Sequence, residues 1–227
     1  MAPQKIYKRL LLREIYSREL SLDEARKHLN LNDFKSLRSP DEQTRYLATH
    51  GTLLGAGSSR RVYLISSSRV LKMAQRGADN SFYSERYELG RAQNEAEVEL
   101  FTNPSVKPFL AKIYDFDPSY TWLISELVRP LKNTREFTEL TGVEWRDFVT
   151  LCDSGREQAS RHKEEVNGLV NEKYKDNKFV QNFMELITKT DIDPYDFQGT
   201  NQLGKTNDGR LVLLDYGFSK SVVSRYY

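Results

Sequence analysis

The chain has 227 residues, with 34 Lys and Arg against 32 Asp and Glu, for a formal charge of +2. That balance argues against a nucleic-acid binder, which would carry a basic excess or stripe, and no apolar run approaches the ~18 residues of a membrane helix. One cysteine, Cys152, supports neither an internal disulfide nor a Cys-based zinc site, so a reducing, cytoplasmic setting is expected. The charged start (MAPQKIYKRLLLREIY) lacks the apolar core of a secretory signal. His28, His50 and His162 are scattered, without metal-ligand spacing.

Residues 4–20 read as a basic amphipathic helix, with Ile6, Leu10, Leu11 and Ile15 at helical spacing. Packing is its simpler role and docking its sharper one; packing is favoured. Ser21-Leu-Asp-Glu24 reads as a capping box starting a short helix through Leu29. Ser39-Pro40-Asp-Glu42 reads as a second box, and its helix should stop at Gly51. Residues 52–74 then alternate as three strands: TLLGAG, RVYLI and RVLKMA. A long helix over 83–102 should end at Asn103-Pro104, and strands are expected at 110–116 and 121–127. The second half is helical. Thr141-Gly-Val-Glu144 reads as a third capping box, with Trp145, Phe148, Val149 and Cys152 on one face behind it. Another helix is expected at 177–189. A polar loop follows (DIDPYDFQGTN), then a turn at Asn207-Asp208-Gly209 and an apolar strand, Leu211–Leu214, ending at Asp215.

Gly199 to Thr206 matches GxxxxGK[ST], but a P-loop needs a buried strand before it and a helix after it. Polar residues with Pro194 precede this one, and a turn and strand follow it, so that reading is declined.

The same region contains Asp196-Phe-Gln-Gly-Thr-Asn201, then Asp215-Tyr-Gly fourteen residues later. Upstream lie Gly55-Ala-Gly57-Ser58-Ser59-Arg60-Arg-Val62 and Val70-Leu-Lys72. A glycine-rich hairpin lets backbone N–H groups approach phosphates, and a lysine beside it needs a carboxylate to hold it. The long helix offers Glu95, Glu97 and Glu99. Glu97 is chosen because Leu100 and Phe101, at i+3 and i+4, put it beside the apolar face. In their order, these motifs resemble the protein kinase-like superfamily over roughly residues 50–220.

The resemblance implies an α+β, two-lobed fold. A helical extension (1–50) would precede an N-lobe (51–128) with a five-stranded antiparallel sheet and one long helix. A reduced, mostly helical C-lobe (129–227) would follow. It implies ATP and Mg²⁺ as cofactors. Gly55, Gly57, Ser58, Ser59 and Val62 would cover the nucleotide, and Lys72, held by Glu97, would meet the phosphates. The Glu126 carbonyl and Val128 backbone, behind Ser125, would meet adenine. Asn201 and Asp215 would hold the metal, and Asp196 would act at the acceptor hydroxyl. A protein acceptor or binding partner is expected.

The chain departs from the family pattern at several points. Arg60 replaces the third glycine, Pro194-Tyr195 replaces His-Arg, and Tyr216 replaces Phe. Gln198 replaces a lysine, which is more similar to small-molecule phosphotransferases of the aminoglycoside type. Ten residues follow Gly217, too few for a peptide-substrate platform. In compactness the chain resembles small kinase-like proteins of bacteria and bacteriophages. Alternative expectations are a small-molecule phosphotransferase, or an inactive kinase-like protein used for binding, inhibition or assembly.

Overall fold

The computed structural model describes residues 29–75, 83–153 and 163–226. The helix expected at 4–20 and the box at Ser21–Glu24 lie outside these residues, as do His28 and His162. The fold is α+β, and the chain divides into two compact units. Of the described residues, one comprises those up to Val98 together with Ala111–Leu127; the other comprises Glu99–Leu110 and those from Val128 to Arg225.

The first unit begins with two helices. The Asn30 side chain accepts from the Asn32 and Asp33 N–H groups and opens α1, Leu31–Ser36. The expected box at Ser39 and Glu42 opens α2, Pro40–His50, which closes at Gly51. Strands β1 (Thr52–Ala56), β2 (Arg60–Ser66), β3 (Arg69–Ala74), β4 (Ile113–Phe116) and β5 (Trp122–Glu126) follow, with α3 (Tyr83–Thr102) between β3 and β4. They form one sheet in the order β1-β2-β3-β5-β4, antiparallel at every pairing.

Side chains alternate across a strand, so β3 presents Leu71 and Met73 to one face and Lys72 and Ala74 to the other. The first face joins Tyr63, Trp122 and Ile124 to Phe34 and Leu47 in one core. Phe34 meets Trp122 edge-on, with ring centroids 5.6 Å apart. Burial of each such side chain is worth roughly 1.5–3 kcal/mol, so residues 31–50 cover the sheet. The opposite face receives α3. Gly90 is the point of contact: a Cβ there would lie 2.4 Å from the Ser59 carbonyl oxygen and 3.0 Å from Ala74 Cα.

The second unit is built from helices α4 (Thr134–Thr141), α5 (Trp145–Asp153), α6 (Lys163–Gly168) and α7 (Lys178–Lys189). A wide helical turn, Leu169–Lys173, follows α6. Phe137, Trp145, Phe148, Phe179 and Phe183 pack between these helices, Phe137 edge-on to Trp145 at 5.0 Å. The third capping box does not form. Thr141 ends α4, Gly142 closes that helix at φ 70°, and the Glu144 N–H donates to the Tyr174 hydroxyl instead. A three-stranded antiparallel sheet, β6 (Arg129–Pro130), β7 (Leu203–Lys205) and β8 (Leu211–Leu213), completes this unit. Lys205 therefore ends a strand and leads through a turn into another, with no helix before Asp215, which is not the strand, loop and helix of a P-loop. A short helix, α8 (Lys220–Tyr226), ends the described chain. Among the described residues, no helix is long and apolar enough to cross a membrane.

Candidate functional site

Strand register assembles the first group of candidates. Gly55 pairs with Val62, Val62 with Lys72, and Lys72 with Leu123, so these four form a row across the sheet. Cross-strand partners share a face, so this row is on the α3 side. Glu97 meets it from the helix. Its side chain is fully buried, whereas Glu95 and Glu99 are exposed. The Lys72 ammonium donates to both Glu97 carboxylate oxygens, at 2.9 and 2.8 Å.

A third charge joins this pair. Arg60 is 5% exposed. Its Nη1 lies 2.7 Å from Glu97 Oε1 and donates to Asn94 Oδ1 at 3.1 Å. Two cations thus share one carboxylate inside the unit. Desolvating each ion costs several kcal/mol, so such a cluster is poor evidence for stability and better evidence for a task. In sequence, Arg60 stands only where a third glycine is expected. The available signal is parity: Arg60 lies two residues before Val62 on β2 and so faces the Lys72 side.

The glycine hairpin is fastened at its base. Gly57 N–H donates to the Arg60 carbonyl at 2.7 Å, and Gln75 N–H donates to the Ser59 carbonyl at 2.6 Å. The Ser59 hydroxyl donates to Gln93 Oε1 at 2.6 Å and is buried, while Ser58 is exposed. Of the two serines expected near phosphate, Ser59 therefore turns toward α3. Glu126 N–H donates to the Lys112 carbonyl, and its own carboxylate accepts from Lys112 N–H at 3.1 Å. Ser125 is buried, and its hydroxyl has no hydrogen-bond partner among the described residues.

The second unit holds Val128, Asp196, Asn201 and Asp215. Val128 is buried. Asp196 belongs to a tight turn, Pro194–Phe197, opened by the Asp193 carboxylate accepting from Tyr195 N–H at 3.1 Å. Phe197 anchors that turn in the aromatic core, edge-on to Phe183. Gln198 donates to Asp153 Oδ1 at 2.6 Å. Asn201 lies in a second tight turn, Thr200–Gln202. The β7–β8 hairpin pairs Leu203 with Leu213, and Leu214 N–H donates to the Gln202 carbonyl at 3.0 Å. Asn201 precedes β7 and Asp215 follows β8, each two residues outside the hairpin strands. The Asn201 carboxamide oxygen occupies the space beside Gly199, 2.5 Å from where a Cβ would stand. Tyr216, after Asp215, is buried.

Among the described residues, no group of three His, Cys, Asp or Glu gathers for a metal. Asn201 and Asp215 offer oxygen donors, a carboxamide and a carboxylate. Mg²⁺ characteristically takes one or two carboxylates and completes its shell with water and phosphate, so this donor set fits Mg²⁺ carried with a phosphate ligand. Cys152 is buried, and burial pushes its thiol well above the ordinary range, which disfavours a reactive thiolate. Comparison with protein-family models and with curated proteins finds no match.

Proposed function

We propose that this chain is a compact, atypical kinase of the kinase-like, two-lobed type. It transfers the γ-phosphate of Mg-ATP to a hydroxyl, taken here to be on a protein, inside the cell. The observation that carries this reading is the buried Lys72–Glu97 pair, made across a β-strand and a helix with both carboxylate oxygens engaged. The placement of Asn201 and Asp215 just outside the two strands of one hairpin supports it.

Mg-ATP, when bound, supplies the phosphoryl group and the metal charge that offsets it. The chain supplies position and electrostatics, the main protein contribution to phosphoryl transfer. Glu97 holds the Lys72 ammonium on the row that starts at Gly55. The backbone of Gly55 and Gly57 leaves room for phosphate, with Ser58 at the exposed tip and Ser59 bracing the loop through Gln93. Val62 flanks the nucleotide, and the Glu126 carbonyl and Val128 backbone meet the base. Asn201 and Asp215 offer oxygens to the metal. Asp196 orients the acceptor hydroxyl and takes its proton.

Asp196→Ala should reduce transfer by roughly 10²–10⁴-fold, the range for loss of a general base, while Mg-ATP binding persists. Transfer assays on a lysate protein fraction, with calorimetry in parallel, read both quantities. Unchanged transfer in the variant would remove Asp196 from the mechanism. The tie between Gln198 and Asp153 favours a second reading, a small-molecule acceptor, because the position carries no cation for a peptide substrate. Sugars, nucleosides and aminoglycosides tested beside the protein fraction separate the two readings.

A further inference from the structure

Lys72 has two tasks that conflict in a buried site. It must neutralise Glu97, and it must turn toward a phosphate. A buried carboxylate that loses its counter-ion is strongly destabilising, so a lone Lys–Glu pair would weaken the fold as the lysine turned away. Arg60 resolves the conflict. Its guanidinium stays 2.7 Å from Glu97 Oε1 on the side of the carboxylate that Lys72 shares. It is held as well by Asn94 Oδ1, and Asn94 Nδ2 donates in turn to the Tyr120 carbonyl at 2.8 Å. Tyr120 is in the left-handed region at φ 58°. The network thus joins the glycine hairpin, α3 and the turn before β5. Residue chemistry suits the division of labour. Arginine is permanently charged, planar and weakly hydrated, which favours a fixed buried contact; lysine is a flexible point charge that can swing.

We propose that Arg60 is a positioning residue. It is the standing counter-ion of Glu97, so that Lys72 can engage a phosphate while Glu97 stays neutralised and α3 stays seated on the sheet. The phosphate half of this inference rests on the kinase reading above; the counter-ion half rests on the ion cluster alone.

The test uses the full chain with Arg60→Met, Lys72→Met and the double variant, each followed by thermal unfolding. The expected result is that both single variants fold, each with one cation left on Glu97. The double variant should lose far more stability than the two losses combined. Simple additivity overturns the counter-ion role. If Arg60→Met alone does not fold, Arg60→Met/Glu97→Gln should restore folding, because no buried carboxylate remains; failure to restore it overturns the proposal. Calorimetry then reads the positioning role. Mg-ATP affinity should fall about ten-fold in folded Arg60→Met and recover largely in Arg60→Lys. Unchanged affinity in Arg60→Met overturns that role. A wild-type chain that binds no Mg-ATP removes the kinase reading, and the unfolding comparison still decides whether Arg60 serves Glu97.

Discussion

Gly90 sits where α3 and the hairpin approach more closely than a methyl group permits. A Cβ would collide with the Ser59 carbonyl, which is itself fixed by Gln75 N–H. Alanine in place of a helical glycine ordinarily stabilises by about 1 kcal/mol. Here the sign should reverse, with Gly90→Ala costing about 1–3 kcal/mol through overpacking. Denaturant unfolding measures this; a stabilised variant would show that the helix can lift without penalty. Glu97 is legible in the sequence because helical period ranks three nearby glutamates by their distance from an apolar face. Arg60 is not legible in the same way, because a long cation next to a glycine loop reads as solvated until parity and burial are combined. Ser59 is a similar case: composition makes it a loop serine, and only the packing of α3 shows that its hydroxyl faces Gln93.

The strands of the first unit are legible because alternation and turn residues coincide, as at Ser67-Ser68 between β2 and β3. Shorter elements escape. Strand β7 is three residues long and lies inside the Gly199–Thr206 pattern that imitates another motif. Helix α4 is hidden because Thr141 and Glu144 have capping-box spacing, although Gly142 separates one helix from the next. What opens α5 instead is tertiary. Asp147 on α5 accepts from Lys173 and from the Tyr174 hydroxyl, both at 2.7 Å, after the wide helical turn. Burial raises the Asp147 carboxyl, but the Lys173 and Tyr174 hydrogen bonds outweigh it and hold the group below its ordinary value of 3.8. A carboxyl depressed in the folded state stabilises above its unfolded value, and that stability is lost as pH falls through the folded value. Asp147→Asn should therefore lower the unfolding temperature at neutral pH and flatten the decline below about pH 4. Parallel curves for wild type and variant would show that the cluster contributes nothing to acid sensitivity. Glu42 and Glu136, also depressed, contribute to the acid limb in both proteins.

The candidate residues divide between the two compact units. Gly55, Val62, Lys72 and Glu97 are brought together in one, and Asn201 and Asp215 flank the β7–β8 hairpin in the other. Within each unit, sequence order and strand register account for the grouping. The acceptor leaves no such mark, because a hydroxyl can be presented by many surfaces and fold alone does not select among them. Nucleotide binding is the property that does not depend on the acceptor. The most direct measurement is calorimetric titration of ATP with Mg²⁺ into the wild-type chain and into Asp215→Ala. Metal-dependent binding to the wild type that is lost in the variant is the predicted result. Absence of binding to both, or equal binding to both, would contradict the kinase reading and favour a role for this fold in binding or assembly.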